Sequence, residues 1–267
     1  MIIVTGMQRS GSSFTSQLLR SCAGISFGDP QGFYQADQWN AEGYFEQRDI
    51  IDINSRLMTG FPRTQGKVTA SLSKLVYATM RHPDRFERRW QSLMDEMKAI
   101  SSKYRLMAVK DPRFCLTLEY WKRIAQIEAV VVCLRHPYES VMSVKRRDRF
   151  PLSLGYRLWN YHMENLLTSL PRERVHFVRF EHLCGKKLSE EIEAIRCFFT
   201  IKQPIEQMIA VFRNLYRGEL RHIRADFDAR VPTNTLEIWR HLIALHADQN
   251  RRKDSLALKS PQGASRF

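Results

Sequence analysis

Several groups of residues in this 267-residue chain have the types and spacing to act on an anion. The first is Gly6, Arg9, Ser10, Gly11, Ser12 and Ser13, followed by Phe14. A glycine-rich turn between a strand and a helix aims its amides at a phosphate, and the helix N-terminus adds partial positive charge. The interval from Gly6 to Gly11 copies the first part of a Walker A loop, but Ser12 and Ser13 stand where that motif needs Lys and Ser/Thr. The cation sits inside the loop instead, as Arg9. The pattern reads as a phosphate-binding loop that is not built for ATP. The second group is Arg135 with Ser143 eight residues later. A guanidinium fork beside a hydroxyl suits a phosphate monoester. An ordinary Arg-Pro turn with a surface serine fits the same residues. The third is Lys110, which ends the apolar run 106–109, with Asp111 and Arg113 after it. Arg113 can meet an acidic acceptor or simply pair with Asp111.

These residues need elements to hold them. Short apolar runs at 2–5, 24–27, 106–109, 129–134 and 176–180 read as buried strands. The run Val130-Val131-Val132 has no polar relief, as in a strand covered on both faces. Helix-like stretches at 12–22, 47–59, 85–101, 115–126, 137–147, 153–169, 187–198 and 203–217 separate them. Alternating strands and helices predict an α/β, P-loop-type three-layer fold with a central parallel sheet flanked by helices. Pro137 suits a first helical turn after a strand ending at Arg135. Lys110 falls at a strand's carboxyl end, the edge where open α/β sheets bind ligands. Residues 1–247 are expected to form one domain, and 248–267 a disordered basic tail. The loop 28–46 is long and rich in aromatics (Phe33, Tyr34, Trp39, Tyr44, Phe45). Those rings either stack on an acceptor or form a small loop core.

Composition narrows the classes. A net charge of +14 implies anionic partners. No helix-turn-helix, zinc-finger or RNP pattern supports a nucleic-acid binder. Cys22, Cys115, Cys133, Cys184 and Cys197 are too widely spaced for a zinc motif and read as reduced thiols. No apolar stretch approaches a membrane span, and the expected location is cytoplasmic. Apart from Asp111, no apolar run ends in a metal-binding Asp, so no metal is expected.

The loop and the Arg135–Ser143 pair together resemble the 5′- and 3′-phosphate-binding elements of sulfotransferases that use 3′-phosphoadenosine-5′-phosphosulfate (PAPS). The run from Arg9 to Phe14 is similar to that of carbohydrate and tyrosyl-protein sulfotransferases and their bacterial relatives. Gly43-Tyr44-Phe45-Glu46, Lys110-Asp111-Pro112-Arg113 and Phe180-Glu181-His182-Leu183 agree, and the resemblance spans about residues 1–202. It implies that Gly6, Arg9, Ser10, Gly11, Ser12, Ser13 and Phe14 hold the 5′ phosphosulfate, and that Arg135 and Ser143 hold the 3′ phosphate. It extends contact with the transferring group to Lys110, with Arg9 offsetting charge. For the general base it offers two carboxylates, Glu46 and Asp29. The implied reaction is in-line transfer of a sulfuryl group to a glycan, glycolipid or small metabolite. A P-loop nucleotide kinase or NTPase and a basic nucleic-acid binder are the rival readings.

Overall fold

A computed structural model describes residues 1–35, 43–61, 83–149, 151–171, 174–216 and 228–257. Four strands form one parallel sheet: β1 (Ile2–Thr5), β2 (Ala108–Lys110), β3 (Ala129–Leu134) and β4 (Val175–Arg179). Their order across the sheet is β2-β1-β3-β4. Parallel strands need crossovers, and helices supply them: α1 (Ser12–Ala23), α2 (Arg48–Thr59), α3 (Pro83–Lys103), α4 (Phe114–Lys122), α5 (Pro137–Asp148), α6 (Leu152–Ser169), α7 (Phe180–Leu183), α8 (Leu188–Phe198), α9 (Ile205–Leu215) and α10 (Thr233–Ala257).

The strands are buried because successive side chains serve opposite faces. On β3, Val130, Val132 and Leu134 join a core with α2 to α6 and α10, while Val131 and Cys133 join a second core with α1 and α7 to α9. The molecule therefore has three layers, as the alternating sequence pattern requires. Every β3 side chain is buried. Each such aliphatic side chain contributes about 1.5–3 kcal/mol relative to exposure.

The order of the strands fixes where a ligand can sit. The chain leaves β1 towards β2 on one side, and leaves β3 towards β4 on the other. Adjacent strands with diverging connections open a crevice at their carboxyl ends. The loops after β1 and β3, which carry Gly6–Gly11 and Arg135, face each other there.

Two expectations fail. The run 24–27 is not a strand. Gly24 (φ 62) ends α1 and Gly28 (φ 85) turns the chain again, leaving too few extended residues for a ladder. Ser26 O still accepts from Ala108 N of β2 at 2.8 Å, and Phe27 packs into the core with Val4 and Ala108. The boundary at 247 falls inside α10, which continues to Ala257. Beyond that point Gln249 still serves the sheet, its Oε1 accepting from Phe177 N at 2.7 Å and its Nε2 donating to Phe177 O. A charged segment is helical here because its neighbours dock on β4. Residues 258–267, and Trp39 in the aromatic loop, lie outside the described residues.

No described helix is long and apolar enough to cross a membrane. The cysteines form no disulfide. Burial pushes the Cys133 thiol up to about 12, which keeps it protonated and inert, as a packing residue should be.

Candidate functional site

The loop between β1 and α1 is held hard against β3. Gly6 has φ 143, and a Cβ there would lie 2.4 Å from Cys133 O. Gly11 (φ 91) is the N-cap of α1, and a Cβ on it would strike the Phe180 ring at 2.4 Å. Among the described residues no side chain caps this helix, so the partial positive charge of its N-terminus is turned on the loop, as an anion site requires. Arg9 takes a left-handed conformation, φ 68, a strain of about 1–3 kcal/mol for a non-glycine residue. Ser10 Oγ is buried beside Gly6 and has no hydrogen-bond partner among the described residues. An orphan hydroxyl costs about 1–3 kcal/mol unless a ligand oxygen accepts it. Uncapped amides, absent Cβ atoms and an unmatched hydroxyl together fit a phosphate or phosphosulfate group.

The strained turn at Arg9 sends its side chain across to α5. Arg9 Nε donates to Ser143 Oγ at 2.9 Å, and Arg135 Nη1 donates to Arg9 O at 3.2 Å. The two elements read separately in the sequence thus meet, with Arg9 as the link. Arg135 is held by Glu139, to which its Nε donates at 2.9 Å, and its guanidinium lies 4.8 Å from the Phe180 ring centroid. Glu181 Oε1 accepts from His136 N at 2.7 Å, which fixes the turn into α5. One helical turn past Ser143, Arg147 Nη2 donates to Gln8 Oε1 at 2.6 Å. Burial works against the Arg147 charge, but Asp148, Tyr44 and Glu46 outweigh it and hold its pKa up.

On the other side of the loop, four buried charges gather at the ends of β1 and β2. Lys110 Nζ donates to Glu46 Oε1 at 2.7 Å and to Ser13 Oγ at 3.3 Å. It also lies 6.0 Å from the Tyr44 ring centroid. Arg113 Nη1 donates to Asp111 Oδ1 at 2.8 Å and stands 3.6 Å from Glu46 Oε2. Asp111 Oδ2 accepts from Asn54 Nδ2 at 3.0 Å, and Asn54 Oδ1 accepts from Thr117 Oγ1 and Trp121 Nε1. Burial opposes the Arg113 charge, yet Asp111 and Glu46 hold its pKa above the ordinary arginine value. Two cations and two anions cancel, and this balance lets all four be buried. A buried ion pair contributes little to stability, whereas removing one partner costs about 3–5 kcal/mol. Such a cluster is better explained by what it does than by what it stabilises.

The residues singled out in the sequence divide clearly. Gly6, Arg9, Ser10, Gly11, Ser12 and Ser13 form the loop, with Arg135 and Ser143 against one flank and Lys110 and Glu46 against the other. Phe14 turns its ring into the core, edge-on to Phe212 at 5.0 Å between centroids, so only its backbone belongs to the loop. Asp29 is exposed and caps a turn, its Oδ1 accepting from Gln31 N at 2.9 Å and its carbonyl from Gln47 Nε2 at 3.1 Å. Glu46 is delivered by local pinning: its carbonyl accepts from Tyr34 N at 2.7 Å, and Gln47 Nε2 donates to Phe27 O at 2.8 Å. Arg113 pairs with Asp111, the blander of its two readings. Phe33 and Phe45 pack on each other, with centroids 5.5 Å apart, as a loop core, while Tyr44 stands beside Lys110.

Some functional partners were missed. Glu139 was legible as an i,i+4 mate of Arg135 on a predicted helix. The Asn54–Asp111, Glu181–His136 and Arg9–Ser143 contacts carry no local signal, because each joins residues 45 or more positions apart. A separate cluster of His182, Glu191 and His246 has the donor chemistry of a metal site. Its hydrogen bonds account for it without one. Glu191 accepts from Arg179 N at 2.7 Å and lies 3.1 Å from His182 Nδ1 and from His246 Nε2, and the Arg179 guanidinium faces the other nitrogen of His182.

The model of a family described as the sulfotransferase family matches residues 2–204. A similar solved structure is the sulfotransferase domain of the olefin synthase from Synechococcus PCC 7002, at 17% identity and a TM-score of 0.49, covering 91% of this chain and 94% of that one. No curated protein matches.

Proposed function

We propose that this chain, which belongs to the sulfotransferase family, moves the sulfuryl group of PAPS to a hydroxyl or amine acceptor. The observation that carries the reading is the position of Lys110, whose ammonium bridges Ser13 of the anion loop and the Glu46 carboxylate. That is where a donor held by the loop and an acceptor held near a base would meet.

The loop amides, Ser10 and Ser12 hold the 5′ phosphosulfate. Arg135 and Ser143, linked through Arg9, hold the 3′ phosphate that separates this donor from ATP. Arg9 serves this flank first, since its Nε is committed to Ser143. The acceptor oxygen attacks sulfur in line. The bond between sulfur and the bridging oxygen breaks, and adenosine 3′,5′-bisphosphate leaves with the electron pair. Glu46 takes the acceptor proton. Lys110 offsets the charge that grows on the bridging oxygen, a preorganised electrostatic effect. Fixed cations thereby supply what Mg2+ supplies in phosphoryl transfer, and no metal ligand is assigned. Asp29, occupied as a turn cap, is the weaker candidate for this role. The acceptor class proposed is a glycan, glycolipid or small metabolite, and the cytoplasm is the proposed compartment, in accord with free thiols.

Calorimetry tests the donor. Adenosine 3′,5′-bisphosphate should bind more tightly than Mg-ATP; the reverse order would overturn the reading in favour of a nucleotide kinase or NTPase. Tighter, salt-sensitive binding of duplex DNA would overturn it in favour of a nucleic-acid binder. Labelled PAPS incubated with a cell lysate and the enzyme identifies the acceptor. Glu46→Gln should abolish label transfer and Asp29→Asn should retain it; near-full transfer by both variants excludes either carboxylate as base.

A further inference from the structure

We infer that Asp111 is a positioning residue that holds Arg113 back from Glu46 and so keeps Glu46 basic enough to accept a proton. The inference rests on the reading of Glu46 as the general base. The geometry that suggests it is an unequal division of one guanidinium. Arg113 Nη1 is 2.8 Å from Asp111 Oδ1 but 3.6 Å from Glu46 Oε2. Arg113 N also donates to Asp111 Oδ1, at 2.9 Å. Asp111 therefore grips the arginine twice, by side chain and backbone.

Asp111 can do this because it is itself immobile. Its amide donates to Val4 O at the end of β1, its carbonyl accepts from Thr5 Oγ1, and its second carboxylate oxygen accepts from Asn54. Asn54 in turn accepts from Thr117 and Trp121, so the anchor reaches into the core between α2 and α4. A chain of oriented polar groups this deep is costly unless every member is matched.

The consequence follows from charge. Among the described residues, the charged groups that face Glu46 include Lys110 from β2, Arg113 at the start of α4, and Arg147 from α5, which is itself paired with Asp148; Tyr44 stands beside Lys110. Opposite charges within about 4–6 Å lower a carboxyl's proton affinity by about 1–3 units each. With Lys110 already at 2.7 Å, a second full cation would make Glu46 a poor base. Asp111 takes most of that second charge. The pair Asp111–Arg113 thus acts as a tuned, partly neutralised neighbour.

The test is a carboxyl titration of Glu46 in the full chain with 13C-labelled glutamate, its signal assigned by loss in Glu46→Gln. In Asp111→Asn the arginine turns to Glu46, and the midpoint should fall by about one unit or more. In Arg113→Met it should rise. Because Asp111 acts through Arg113, adding Asp111→Asn to Arg113→Met should change the midpoint little further. Additive shifts would mean that Asp111 acts only as a distant charge, and would overturn the inference. So would an unmoved midpoint in a folded Asp111→Asn. If that single variant does not fold, the charge-balanced Asp111→Asn/Arg113→Met pair measured against Arg113→Met and wild type decides, with a rise of equal size in both as the supporting result. Failure of the sulfotransfer reading appears separately, as absent binding of adenosine 3′,5′-bisphosphate with the titration unaffected.

Discussion

Ser143→Ala is the sharpest probe of the 3′-phosphate assignment. The serine is half-buried on α5, and its Oγ accepts from Arg9 Nε at 2.9 Å. Removing the hydroxyl takes away one ligand for a 3′ phosphate and releases the arginine that links the loop to α5. A hydrogen bond to a charged group contributes about 1.5–3 kcal/mol, and each 1.4 kcal/mol is about tenfold in affinity. Affinity for adenosine 3′,5′-bisphosphate should therefore fall by about 10- to 150-fold. Adenosine 5′-monophosphate lacks the 3′ group, and its affinity should change by about twofold or less, because the loop amides and the α1 N-terminus are untouched. Calorimetry with both nucleotides reads this double difference directly. The substitution removes one partly buried hydrogen bond but no charge, so stability should fall by about 0.5–1.5 kcal/mol, checked by thermal unfolding. An equal loss for both nucleotides, or no loss for the bisphosphate, would refute the placement of the 3′ phosphate.

Other outcomes follow from the same geometry. Lys110→Met should lower donor turnover by about 10²–10³-fold, while bisphosphate affinity, measured by calorimetry, changes by about threefold or less, because the product lacks the sulfuryl group. Gly6→Ala puts a Cβ 2.4 Å from Cys133 O; the loop must leave β3, at a cost of about 1–3 kcal/mol, seen as a lower Tm together with a more than tenfold loss of bisphosphate affinity. Glu191 is buried, which by itself would raise its pKa, but hydrogen bonds from His182 and His246 prevail and hold it down at about 2. A carboxyl depressed in the folded state stabilises above its unfolded pKa, and that stability is lost as pH falls from about 4.5 towards 2. Glu191→Gln should then remove up to roughly 3 kcal/mol at neutral pH and flatten the acid limb of stability, as read by denaturant unfolding across pH.

Much of the site was legible because its parts are local. Gly6 and Gly11 announce a turn that only glycine can make, and the structure shows why, with β3 and Phe180 occupying the space a Cβ would need. Arg135 and Pro137 mark a strand-to-helix turn, and Ser143 lies on the helix that follows. What failed was also local in origin. The run 24–27 has strand composition, but Gly24 and Gly28 bracket it and break the ladder. The stretch after 247 has tail composition, but α10 carries it, because His246 and Gln249 bind groups on α8 and β4 that are far away in sequence. Propensity read along the chain has no access to such docking.

The sequence by itself determined most element types, the three-layer arrangement and the glycine turn between β1 and α1, since these depend on hydrophobic period and on backbone angles that few residues can adopt. Tertiary structure alone decided which carboxylate stands beside Lys110. Glu46 and Asp29 are both carboxylates near the start of the chain, yet hydrogen bonds from Tyr34 and Gln47 pin one beside Lys110 while the other caps a turn. It also decided that Arg9 serves the Ser143 flank, and that Arg113 is shared unequally between two anions. Those are matters of distance between residues far apart in sequence, and charge energies depend on distance and burial rather than on spacing along the chain.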